Sequence, residues 1–194
     1  SEVSKMSTIK SSTEHLTLNA DGSGKEIKFQ LNGTEIGTIG AGGLGKVLQV
    51  VNVQDGAVAT GTTIMPFDDT IPQNTEGVEF MTLAITPSNA SNLLKIEINL
   101  SCIAHSTGGW FGAALFQDTT AGALASNMKY QGTITGLANM AFTHYMTAGT
   151  TSATTFKVRA GTSDAGTITF NGRNGARLHG GSFASSITIT EIKA

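Results

Sequence analysis

The chain has 194 residues, a formal net charge of −2 and only 13% charged side chains. This leaves no electrostatic footprint for nucleic acid and no cationic amphipathic stretch for insertion into a membrane. With 24 glycines and 39% hydrophobic residues, it is too apolar for a disordered chain and wrongly patterned for a helical one; an all-β protein with many turns fits. The single cysteine, Cys102, excludes an intrachain disulfide and a cysteine-based zinc cluster. No apolar run is long enough to span a membrane as a helix. The chain begins at Ser1, as expected of a piece excised from something longer.

Residues 1–45 stand apart. Leu16 and Leu18 alternate with Thr17 and Asn19, and Asp21-Gly22-Ser23-Gly24 then turns the chain. Ile27, Phe29 and Leu31 alternate with Lys28 and Gln30 up to Asn32-Gly33. That dipeptide is a strong two-residue hairpin signal, because both residues tolerate φ > 0. Ile36 and Ile39 follow, and then the flexible neck Gly40-Ala41-Gly42-Gly43-Leu44-Gly45. So few apolar side chains cannot offset the entropy of ordering the whole segment. Its regular turn chemistry argues against plain disorder. Intertwined identical copies would bury Leu16, Leu18, Ile27, Phe29, Leu31 and Ile36 along a shared axis; the periodicity leaves the number of copies open.

Residues 46–194 read as a second domain. Val47 to Val53 is strand-like, and Glu79 to Thr86 places Met81, Leu83 and Ile85 on one face before Pro87. In "LLKIEINLSCIAHS", Leu94, Ile96, Ile98, Leu100, Cys102 and Ala104 fall on one side. Lys95, Glu97, Asn99, Ser101 and His105 fall on the other, with Ile103 as the exception. Such alternation marks a half-buried antiparallel strand. "GGWFGAALFQD" differs. Trp110, Ala114 and Phe116 share one face, and Phe111, Ala113 and Leu115 share the other. This strand is expected to be buried on both sides, its second face by sister chains. "GALASNMKYQG" is ambiguous between helix and strand. Further runs are Phe142–Met146, Thr154–Ala160, Thr167–Asn171 and Ser186–Ile192, separated by Gly-, Thr- and Asn-rich turns. Strands at this spacing predict an antiparallel β-sandwich, jelly-roll-like in its turn spacing.

"LTLNADGSGKEIKFQLNGTEIGTI" resembles the shaft segments of tail-fibre and receptor-binding proteins of tailed bacteriophages. "GKVLQVVNV" and "TIPQNTEGVEFMTLAITPSNASNLLKIEINLS" resemble the start of their C-terminal head domain, and "TITFNGRNGARLHGGSFASSITITEIKA" resembles its last strands. Residues 103–165 are recognisable only as β-patterned. The resemblance implies a homotrimer, with a short intertwined β-shaft over 1–45 and a β-sandwich head over 46–194. It implies a virion protein, extracellular when acting, that attaches to a bacterial surface receptor, a glycan or an outer-membrane component, without catalysis. The competing classes are a purely structural fibre component and a glycan depolymerase.

Asp68-Asp69 with Glu76 and Glu79 is the densest carboxylate group. Paired carboxylates can hydrolyse glycosides, but a solvated loop between Pro66 and Pro72 is the better reading, and enzymatic phage spikes are long β-helices. His15, His105, His144 and His179 are scattered without metal-ligand spacing, and Asp118 and Asp164 follow no recognisable Ca²⁺ loop. No cofactor or metal is therefore expected. No serine occupies a nucleophile elbow. Cys102 is expected to be a buried, inert thiol, and the Gly-rich neck lacks the strand–helix context of a phosphate loop. Sugar stacking points to Trp110, Tyr130 and Tyr145, with Lys129, Asn139 and His144 as polar partners. For Trp110, which shares a face with Phe116, core or interface burial competes. Loops 105–109, 118–123, 147–153, 161–166 and 172–181 are where recognition would vary.

Overall fold

A computed structural model describes residues 27–31, 34–39, 46–132 and 136–194, with the backbone alone for the first two stretches and for Cys102. The chain divides into two units, Ser1–Gly45 and Lys46–Ala194.

In the first unit, β1 (Ile27–Leu31) and β2 (Thr34–Ile39) pair antiparallel, from Leu31 opposite Thr34 to Ile27 opposite Ile39. The register shifts between Phe29 and Gln30, which leaves Ile36 as the extra residue of a bulge. A two-residue connection is what the Asn-Gly signal predicts, although the dipeptide itself lies outside the described residues. Leu16 and Leu18 lie outside them as well, as do the side chains of Ile27, Phe29, Leu31 and Ile36.

The second unit runs β3 (Val47–Asp55), β4 (Ala59–Gly61), β5 (Val78–Ile85), β6 (Leu93–His105), β7 (Gly109–Gln117) and β8 (Ala125–Gln131). There follow β9 (Ala138–Thr147), β10 (Thr154–Thr162), β11 (Ile168–Phe170), the short β12 (Gly172–Arg173) and β13 (Ala176–Arg177), and β14 (Ser185–Ile192). A four-stranded sheet has the order β5-β10-β7-β8. A six-stranded sheet has the order β3-β14-β6-β11-β4, with β9 also paired to β6. Every pairing is antiparallel. The ambiguous stretch around Met128 is the strand β8.

One core lies between the two sheets. Leu94, Ile96, Ile98 and Leu100 of β6 meet Phe111, Ala113 and Leu115 of β7, with Phe156 and Val158 of β10 and Ile187 and Ile189 of β14. The alternation of Leu94 to Leu100 and of Thr154 to Ala160 is thus the register of a two-layer sandwich. Past Leu100 the alternation breaks. The β6–β9 register shifts between Leu100 and Ile103, and a bulge reverses which residues face inward. Ile103, the exception in the sequence pattern, is a fully buried core residue, and His105, expected on the polar face, is 0% exposed.

The second face of β7 also departs from expectation. Ala114 and Phe116 form a small separate cluster with Met65, flanked by Ala123. Their cover comes from the same chain, from the segment between β4 and β5. Met65 N–H donates to the Thr162 carbonyl at 2.9 Å, and Gly77 N–H to the Ile64 carbonyl at 3.0 Å, pinning the segment. Gly112 leaves it room, because a Cβ there would lie 3.1 Å from the Met65 sulfur. No sister chain is needed to bury Phe116.

Candidate functional site

The cover stops short of one end of β7. Trp110 stands second in that strand, on the outer face, opposite Tyr130 of β8. Their ring centroids are 5.3 Å apart and the planes tilt by 57°. Phe67, carried in by the covering segment, stacks on Trp110 at 4.4 Å and 10°. All three stay open to solvent, with Phe67 57%, Trp110 37% and Tyr130 58% exposed. Single exposed aromatics are ordinary, but three joined through Trp110 form a patch of the kind that marks a binding surface.

Near the start of β7, where a Cβ at Gly109 would lie 3.5 Å from its Nε2, sits His105. Its backbone is clamped by Gln131, whose Oε1 accepts the His105 N–H at 3.2 Å and whose Nε2 donates to the His105 carbonyl at 3.0 Å. Its Nδ1 accepts the Thr107 N–H at 3.1 Å, and its Nε2 faces Asp164 Oδ1 at 3.2 Å. Asp164, whose side chain is 67% exposed, thus meets the imidazole through one carboxylate oxygen.

A groove of about 410 Å³ begins one residue beyond Phe67, between residues 68–72 and 123–126. Asp68 accepts both the N–H of Thr70 at 2.9 Å and its hydroxyl at 2.5 Å. The hydroxyl first, then the N–H, hold this carboxyl below the usual range. Asp69 lines the same groove, whereas Glu76 and Glu79 are engaged elsewhere. Glu76 accepts the Gln73 N–H at 2.9 Å. Glu79 faces Lys157 at 3.7 Å and Arg159 at 3.8 Å, in a smaller cleft of about 240 Å³ that Asn74 and Asp118 also line. Asp118 caps a turn by accepting the Thr155 N–H at 2.8 Å.

The six residues singled out for sugar recognition fall in different places. Trp110 and Tyr130 come together. Lys129 points away from Tyr130, and its ammonium reaches the Asn139 carbonyl at 3.4 Å, linking the edge strands β8 and β9. Asn139 and Tyr145 lie on the exposed side of β9, where Tyr145 stands opposite Lys95 and is 55% exposed. His144 points the other way, between the half-buried Phe142 and Met146, and burial lowers its pKa. Tyr145 and His144, neighbours in sequence, therefore cannot share a site. Phe67 escaped the sequence reading. Its only signal was a lone aromatic in the polar loop "MPFDDTIP".

Among the described residues no three His, Cys, Asp or Glu side chains converge to hold a metal ion. No helix among them is long and apolar enough to cross a membrane.

No family model matches the chain, and no curated protein does. Its fold is similar to several solved structures. One is the EclA C-terminal domain, a sugar-binding protein, at 15% identity over 61% of this chain and 76% of that one, with a TM-score of 0.36. Another is the infectious bursal disease virus Gt strain, at 15% identity over 92% of this chain and 47% of that one, with a TM-score of 0.38. A third is a Bacillus endospore appendage, from a family of disulfide-linked pili, at 14% identity over 79% of this chain and 95% of that one, with a TM-score of 0.31. At these identities and scores the likeness concerns an all-β fold alone.

Proposed function

We propose that residues 46–194 are the head of a tailed-bacteriophage tail fibre that attaches to a glycan on the bacterial surface without catalysing its cleavage. Residues 1–45 would carry and trimerise that head on the virion, outside the cell. The observation that supports this reading is the exposed stack of Phe67, Trp110 and Tyr130. A flat ring offers its face to the C–H face of a pyranose, and the rigid sheet beneath holds that face in position at little entropic cost. The adjoining groove adds what an aromatic surface lacks. Asp68, Asp69, Thr70 and Ser126 line it and could accept or exchange hydrogen bonds with sugar hydroxyls.

The test is a glycan array, paired with adsorption to host cells, using the full chain and a Trp110→Ala variant. An exposed aromatic anchor of this kind contributes on the order of 2 kcal/mol, so affinity for the selected glycan should fall about thirtyfold. Unchanged binding by the variant would remove the aromatic stack from the proposal. No glycan or cell binding by the wild-type chain would favour a purely structural fibre component.

A further inference from the structure

The smaller cleft, on the outer face of the four-stranded sheet, is lined by charged side chains whose hydrogen-bonding capacity is only partly used. Phe156 and Val158 of β10 fill the core, so Lys157 and Arg159 turn outward. Register sets Lys157 beside Phe116 of β7, and Arg159 beside Glu79 of β5. Phe116 is buried and gives the cleft a packed wall. The Asn74 amide donates to the carbonyls of Thr119 at 3.3 Å and Thr120 at 3.2 Å, which ties the segment before β5 to the turn after β7. Asp118 is pinned to β10: its N–H donates to the Thr155 carbonyl and its Oδ1 accepts the Thr155 N–H, both at 2.8 Å.

The two cations are oriented but not matched. Arg159 Nε donates to the Glu76 carbonyl at 2.9 Å and Nη2 to the Gly77 carbonyl at 2.8 Å. These bonds fix the guanidinium plane and leave Nη1 for another acceptor. Glu79 Oε2 lies 3.7 Å from Lys157 Nζ and 3.8 Å from Arg159 Nη1. Both cationic groups therefore face one point, and neither is close enough to donate to it. The Lys157 side chain is 34% exposed and, among the described residues, its ammonium has no hydrogen-bond acceptor within reach. A cation that has lost part of its water without gaining an acceptor favours a ligand that supplies one.

We propose that this cleft binds a carboxylate-bearing sugar, one ring of hexuronate size. Its carboxylate sits between the Lys157 ammonium and Arg159 Nη1, where charge-assisted hydrogen bonds form at both ends. Its hydroxyls donate to Glu79 Oε1 and Asp118 Oδ2, neither of which has a partner among the described residues. Glu79 and Asp118 repel a bare anion, so only a ligand that also brings hydroxyls gains enough to bind. The volume, about 240 Å³, is below the roughly 300 Å³ at which drug-sized pockets begin, and suits a single ring. Trp110 and Phe116 stand near opposite ends of β7, so the cleft is separate from the aromatic stack and the proposal does not rest on the attachment reading. Where that reading holds, the cleft adds an acidic sugar to what the head recognises.

The test is an NMR titration of the full chain with glucuronate, and with glucose and acetate as its uncharged and sugar-free counterparts. Glucuronate should bind with a dissociation constant of about 1 mM and shift the amides of Phe116, Lys157 and Arg159. Glucose and acetate should bind about tenfold more weakly. Lys157→Gln, at a partly exposed side chain, should weaken glucuronate binding about tenfold. Glu79→Gln removes the opposing charge yet keeps an acceptor, and should tighten binding about threefold. It also tests the proposal should Lys157→Gln fail to fold. A merely structural ion pair predicts instead that both substitutions weaken binding alike. No shift at these amides in the wild type, acetate bound as well as glucuronate, or weaker binding by Glu79→Gln overturns the proposal. Shifts confined to the Trp110 indole would place the sugar on the aromatic stack and overturn it too. A chain that binds glucuronate in the cleft but no glycan on the array keeps this site and loses the attachment reading.

Discussion

The two outer faces of the sandwich are built from the same kind of strand and end up with opposite characters. On the six-stranded sheet, antiparallel register lines up Val50, Thr190, Lys95 and Tyr145 in one row, and Asn52, Thr188, Glu97 and Thr143 in the next. This face is polar and open, with Lys95 and Glu97 paired at 2.8 Å. On the four-stranded sheet, Ala114 and Phe116 are buried under Met65, and at the margin of the cover Phe67 stacks on Trp110 while all three aromatics stay open to solvent. A face alternating with the core can thus be left to solvent, or roofed by a loop that exposes chosen side chains at its margin. The second arrangement creates a surface with both apolar rings and a polar groove, which a plain polar face lacks.

Substitutions on β7 and its roof should sharpen that contrast most. Phe111→Ala empties the main core and should cost about 3–5 kcal/mol in urea unfolding, whereas Met65→Ala, beneath a loop that can collapse, should cost about 2–3 kcal/mol. A larger loss for Met65 would mean that the roof, and not the intersheet core, is the less yielding part.

Glu191 comes next. It continues the inward row of Ile187 and Ile189 and is 0% exposed. Burial by itself would raise its pKa. Donors from Asn92 at 2.6 Å, Gln49 at 2.6 Å and Ser88 at 2.8 Å outweigh that and lower it to about 2. Because the folded-state pKa is depressed, this carboxylate contributes stability above its unfolded pKa near 4.5, and the contribution is lost as pH falls toward 2. Glu191→Gln should cost about 2 kcal/mol at neutral pH and flatten the acid limb of a stability–pH curve. An unchanged acid limb would assign that dependence to other groups.

The smallest effect is expected on the open face. Thr188→Lys should change stability by less than about 0.5 kcal/mol. A substantial loss, or a change in oligomeric state by light scattering, would mean that this face is covered in the assembled protein.

Much of the fold was legible because strand alternation is local. Leu94 to Leu100 and Thr154 to Ala160 declared their inward faces, and β1 and β2, on either side of the Asn-Gly signal, pair antiparallel. The double apolarity of β7 was legible too, but the identity of its second cover was not. Met65 lies far from Ala114 in sequence, and no period connects them. The inward turn of His105 was hidden for a different reason: a bulge adds one residue to a strand whose composition looks the same with or without it. Of the candidate site, Trp110 and Tyr130 were visible as aromatics in a polar, weakly charged chain. Phe67 was not, since only the path of its loop brings it to them.

By itself, then, the sequence determined an all-β chain, most of its strands, and which side chains each regular stretch turns inward. Those properties follow from backbone alternation and turn chemistry within a few residues. The tertiary structure alone decided that one outer face is roofed and the other bare, that three aromatics meet at the roof's edge, and that His105 turns inward past a bulge. Each of these depends on contacts between segments tens of residues apart, where chain topology decides which side chains meet.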